Sequence, residues 1–136
     1  MKLDKQTKEN LFDFLVKAGS LKDLLGILSD ICENLELEYL NPKIKHYKYF
    51  QFTFFGLMVK TKGTLQTMTY KAEHLRNNIC EFEDIHEKLR KLQKNTTKAY
   101  DLIHTNRMQE GKNKIIETNK EYACITDISK LSNKLY

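Results

Sequence analysis

The chain has 136 residues, with one proline, five glycines, 40% hydrophobic and 30% charged residues, and a net charge of +5. A chain of this length buries roughly 65–70% of its unfolded surface, so one domain spanning residues 1–136 can hold a core without metals or crosslinks. The composition excludes a disordered chain. The longest wholly apolar run, residues 54–59, falls far short of the roughly 20 residues a membrane span needs.

The first helix is expected to start after Thr7, with Leu11, Phe12, Leu15 and Val16 on one stripe, and to end at Gly19. Ser20 then caps a second helix, with Asp23 three residues on in a capping-box-like arrangement. Leu21, Leu24, Leu25, Leu28, Ile31, Leu35 and Leu37 carry that helix to about Tyr39, and Asn41-Pro42 breaks it.

Residues 43–71 carry two conflicting signals. Tyr47, Tyr49, Phe50, Phe52, Phe54 and Phe55, followed by several threonines, favour strands, and Lys62-Gly63 could turn a small β-hairpin. Against this, Phe50, Phe54, Leu57, Thr61, Leu65, Met68, Ala72, Leu75, Ile79, Phe82, His86 and Leu89 alternate steps of three and four without a slip. A hairpin has no reason to share its register with the helix that follows, so the stretch reads as helical, with the hairpin as the alternative. One unbroken helix over that track would be about 60 Å long at 1.5 Å per residue, which predicts a break near Asn77-Asn78 or just before Glu83. Leu92, Ala99, Tyr100 and Ile103 continue the pattern, Glu110-Gly111 marks a turn, and Ile115, Thr118, Tyr122, Ile125, Ile128, Leu131 and Leu135 line the last helix. The expected fold is an all-α bundle of four or five helices, with Leu28, Ile31, Phe54, Leu75, Ile79, Phe82, Tyr122 and Ile125 in its core.

Cys32, Cys80 and Cys124 are far apart and odd in number, and an isoleucine flanks each. They read as reduced core thiols in a cytoplasmic protein, because the chain has no paired spacing for a redox or zinc site and no signal peptide. Charge is distributed unevenly. Residues 20–40 hold Lys22 against Asp23, Asp30, Glu33, Glu36 and Glu38, a balance of −4. Residues 43–76 hold Lys43, Lys45, Lys48, Lys60, Lys62, Lys71 and Arg76 against Glu73, a balance of +6. Such segments neutralise each other within a fold or offer acidic and basic faces to partners.

Motifs for catalysis are missing. Glu83-x-x-His86 puts a carboxylate and an imidazole on one helical face, as in di-iron bundles, but no second Glu-x-x-His accompanies it. The glycines are isolated, so no phosphate loop forms, and neither a Gly-x-Ser-x-Gly elbow nor a His-Glu-x-x-His occurs. The expectation is a non-enzyme with no metal and no cofactor.

Two surfaces remain. The segment around 47–58 has more rings than one helical stripe can bury, which points Tyr47, Tyr49, Phe52 and Phe55 toward a protein partner or self-association. This makes a non-catalytic interaction module (an adaptor, chaperone, inhibitor or regulator) the leading reading. The alternative is a nucleic-acid-associated factor using basic patches over 43–62 and 88–98, with Lys45, Lys48, Lys91, Lys94 and Lys98 on phosphates. Twenty lysines against three arginines weigh against it, since arginine supplies the bidentate fork that reads bases.

Overall fold

In the computed structural model, which describes residues 3–34, 36–125 and 127–135, four long helices pack into an antiparallel bundle. They are α1 (Lys5–Asn34), α2 (Lys48–Leu75), α3 (Phe82–His104) and α4 (Met108–Ala123). A short α5 (Asp127–Lys130) and a 3-10 turn (Leu131–Leu135) follow. Neighbours in sequence are neighbours in space, and α4 closes back onto α1, so each helix packs against two others at the corners of a square. No strand occurs among the described residues, so residues 48–71 are helix and not hairpin.

α1 departs from the expected break at Gly19-Ser20 and runs unbroken for 30 residues. Leu11, Phe14, Ala18, Leu21, Leu25, Leu28 and Cys32 stay in one three-four register across the glycine, and all are buried. A glycine inside a helix costs about 1 kcal/mol relative to alanine, less than the roughly 1.5–3 kcal/mol from burying one leucine beyond it. The same register corrects the stripe. Leu11 belongs to the core, while Phe12 and Val16 are more than half exposed on the opposite side. Asp4 caps the helix by accepting the Thr7 N–H at 2.7 Å, and hydrogen bonding to Thr7, through its side chain first and its N–H second, holds the carboxyl below the ordinary value. The helix ends at Asn34, short of the expected Tyr39, and residues Leu37–Leu40 form a 3-10 turn. Leu35 lies outside the described residues.

The threonines that favoured a strand are accommodated by the helix itself. Thr61 and Thr69 donate their hydroxyls to the carbonyls of Leu57 and Leu65, each at 2.7 Å, so their polar atoms can lie in the core of α2. The bend between α2 and α3 falls at residues 76–81, the expected place. Asn78 ties it to α1 by donating to Thr7 Oγ1 at 3.2 Å.

The turn expected at Glu110-Gly111 lies earlier, at Thr105–Arg107. The Arg107 N–H donates to the Leu102 carbonyl at 2.8 Å and the Asn106 N–H to that of Ile103 at 3.2 Å, with Asn106 at φ 64°. This is a Schellman closure in which asparagine takes the left-handed position usually given to glycine. Gly111 instead lets α4 approach α3, since a methyl there would overlap Ile103 Cγ1 and sit 3.3 Å from the Ala99 carbonyl oxygen.

Two apolar clusters fill the bundle end to end. One joins the first half of α1, the second half of α2 and the first half of α3 to the C-terminal segment, around the edge-on pair Phe14–Phe82 with ring centroids 4.9 Å apart. The other joins the remaining halves to α4 around Phe54, Met58 and Ile103. Of the expected core residues only Ile31 is half-buried, and the rest are buried. Tyr122 sits at 8% exposure with its O–H donating to the Ala18 carbonyl at 2.8 Å, and burial pushes its phenol above the ordinary value.

Candidate functional site

α2 places the expected binding rings in three different settings. Its N-terminal end is anchored by Gln51, a buried amide that donates to the carbonyls of Asn41 at 2.7 Å and Ile44 at 3.3 Å. This fixes the 3-10 turn Lys45–Tyr47 and sets the rotation at which α2 leaves it. Tyr47 is half-buried and packs on Tyr39, with ring centroids 4.2 Å apart. Desolvation there, followed by its contact with Tyr39, raises the phenol above the ordinary value. Phe55 is also half-buried, stacked on His104 at 4.9 Å and edge-on to Tyr100 at 6.2 Å, where it closes the seam between α2 and α3. Lys62 Nζ lies 4.9 Å over the Tyr100 ring on the same seam. Tyr49 and Phe52 are the two rings left to water, at 87% and 79% exposure.

These two begin a longer stripe. Tyr49, Phe52, Gly56, Val59, Gly63, Gln66 and Tyr70 recur at alternating steps of three and four, directly opposite the buried stripe of the same helix. Val59 and Tyr70 are 56% and 64% exposed. Sequence reading of the aromatic segment stopped at residue 58 and missed the distal half. The signal was available as a second heptad register interleaved with the first.

The basic residues separate. Lys45 and Lys48 are exposed at the start of α2, while Lys91, Lys94 and Lys98 are exposed on one face of α3. Lys94 and Lys98 line a shallow groove with Arg90, but Asp101 shares it. The acidic first turns of α3 engage part of the patch, through Lys88–Asp84 at 2.8 Å and Arg90–Glu87 at 3.9 Å.

Other candidates for chemistry do not converge. His86 is buried, and its Nδ1 has no hydrogen-bond partner among the described residues. Among the described residues no three His, Cys, Asp or Glu side chains come together as a metal site. Of the three expected core thiols only Cys32 is buried, and desolvation pushes it up to about 12. Cys80 and Cys124 are exposed, because each sits where a helix has ended and the adjacent isoleucine takes the buried position. The Cys80 thiol lies 2.9 Å from the Glu81 carboxylate, whose hydrogen bond and charge raise its pKa. Among the described residues no helix is long and apolar enough to cross a membrane. No protein-family model, curated protein or solved structure shows significant similarity to this chain.

Proposed function

We propose that the protein is a non-catalytic interaction module that binds a protein partner through the outer face of α2. The observation that carries this reading is the near-complete exposure of Tyr49 and Phe52 at the head of an apolar stripe that extends to Tyr70. A helix needs one apolar face to join a bundle, and the buried stripe of α2 already supplies it. A second apolar face, with rings in water, costs solubility and adds nothing to the fold. The free thiols support a reducing, cytoplasmic setting.

The test is affinity purification from the native cell with and without nuclease, using the parent and a Tyr49→Glu/Phe52→Glu variant. The reading expects a protein that survives nuclease and is lost with the variant, while the variant keeps its melting temperature. Capture that is indifferent to both substitutions overturns it. The nucleic-acid reading keeps one specific support, the convergence of Arg90, Lys94 and Lys98 on one groove. It expects binding that falls steeply with salt and that charge reversal at Lys91, Lys94 and Lys98 harms more than loss of Tyr49.

A further inference from the structure

The large apolar side chains left exposed among the described residues are Phe12, Val16, Ile27, Tyr49, Phe52, Val59 and Tyr70. The first three lie on α1 and the other four on α2, two helices that are adjacent in the bundle. On each helix they occupy the side opposite the buried stripe. The α1–α2 side of the bundle therefore carries all of them, interleaved with exposed charged residues such as Glu9, Asp23 and Asp30, whereas the layer formed by α3 and α4 presents none of these large side chains.

Charge divides this face lengthwise. From Ser20 to its end, α1 carries Asp23, Asp30 and Glu33 against Lys22. Along α2, Lys48, Lys60, Lys62 and Lys71 precede any acid, the first being Glu73. The helices run antiparallel, so the acidic half of α1 lies beside the lysine-bearing first half of α2. The two are not joined by ion pairs. Among the described residues, the pair linking α1 to α2 is Lys71–Asp13 at 3.9 Å, at the other end, and none engages Asp23, Asp30, Lys48 or Lys60.

We infer that this face pairs with the same face of a second copy of the chain, the acidic apolar side of α1 from each copy lying on the basic aromatic side of α2 from the other. The inference rests on the reading of the α2 face as an interface and supplies its partner. A two-fold axis running along the helices between the two bundles sets α1 over α2 twice, an isologous contact in which each half complements the other. The Lys71–Asp13 pair sets the level. Ten residues further along α1 and ten back along α2, Asp23 is level with Thr61, next to Lys60. Asp23 of one copy then meets Lys60 of the other, and Ile27 comes level with the segment around Gly56 and Val59. The other two-fold arrangement sets α2 on α2 and lysine toward lysine, which like-charge repulsion disfavours.

Sedimentation of the purified chain across a concentration series tests this, with circular dichroism as the check on folding, since every substituted position is exposed. The parent should dimerise below about 100 μM, a dissociation constant within reach of a moderate interface. Ile27→Glu, which leaves α2 intact, should make it monomeric. Asp23→Lys and Lys60→Asp should each weaken the dimer at least about tenfold, and the two together in one chain should restore it to within about threefold. A chain that stays monomeric at several hundred micromolar overturns the inference, as does a dimer indifferent to Ile27→Glu or not restored by the double exchange. A monomer that still captures a protein through Tyr49 overturns self-pairing and leaves the interaction reading intact, whereas a monomer that captures nothing defeats both.

Discussion

Phe82 stands at the first turn of α3 with no exposure, its ring edge-on to Phe14 at 4.9 Å. Truncating it to alanine removes most of a ring that buries about 150–250 Å² in an aromatic cluster, and α1 and α2, held at both ends by other packing, cannot close the gap. A buried Phe→Ala change of this kind costs about 3–5 kcal/mol, of which the edge-on pair supplies about 0.5–1.5 kcal/mol. For a chain of 136 residues an unfolding entropy of about 2.1 cal/mol/K per residue converts 1 kcal/mol into roughly 3.5 °C. Phe82→Ala should therefore lower the melting temperature, read from the loss of helical circular dichroism on heating, by about 10–17 °C. Phe82→Leu, which keeps most of the volume, should lose less than half as much and keeps the comparison readable if the alanine variant fails to fold. A cycle with Phe14→Ala should return a coupling of about 0.5–1.5 kcal/mol. A shift below about 3 °C for Phe82→Ala, or additivity in the cycle, would refute the assignment of these rings to one tightly packed cluster.

Gly111→Ala should destabilise by about 1–3 kcal/mol in urea unfolding, because the added methyl meets Ile103, whereas Gly63→Ala, with open space around it, should be neutral or stabilising by up to about 1 kcal/mol. Native labelling with a disulfide reagent should modify Cys80 and Cys124 and spare Cys32 until denaturant is added, with Cys80 slowed by its bond to Glu81. Stability should fall as pH rises above 9, since Cys32, ordinarily at 9.0, titrates at about 12 in the fold, and the unfolded chain loses that proton first. The loss is about 1.4 kcal/mol per pH unit between those values, with Tyr122 adding in the same direction above about pH 10. Cys32→Ala should flatten the slope between pH 9 and 10, and an unchanged slope would show that Cys32 is not desolvated as described.

How far the fold was legible depends on which signals were unopposed. The three-four register from Phe50 to Leu89 outweighed a local preference for strand because it records which side chains share a face over many turns. The helix followed from it, and the bend after Leu75 followed from the length an unbroken helix over the same track would reach. Gly19 and Gly111 misled for one reason. A glycine is compatible with a helix end, but it also serves where backbones approach or where exposure makes its cost bearable, and the neighbouring helix decides among these uses. The chain closed α3 with Asn106, and a residue able to adopt the left-handed conformation does not advertise in sequence that it will.

The candidate surface divides the same way. That residues 47–58 carry more rings than one stripe can bury is arithmetic on the sequence. Which rings stay in water depends on the rotation of α2, set by Gln51 at its start and by the packing of α1 and α3 on either side. Those contacts fold Tyr47 onto Tyr39 and Phe55 onto His104, and they leave Tyr49 and Phe52 exposed. The cysteines follow suit, since an apolar neighbour says a buried position is near without saying which residue occupies it. Sequence alone determined the class of fold, the uneven charge and the surplus of aromatic residues, because these depend on periodicity and composition. Only the tertiary structure decided that the acidic and basic segments lie side by side, because that requires α1 and α2 to be antiparallel neighbours in the bundle.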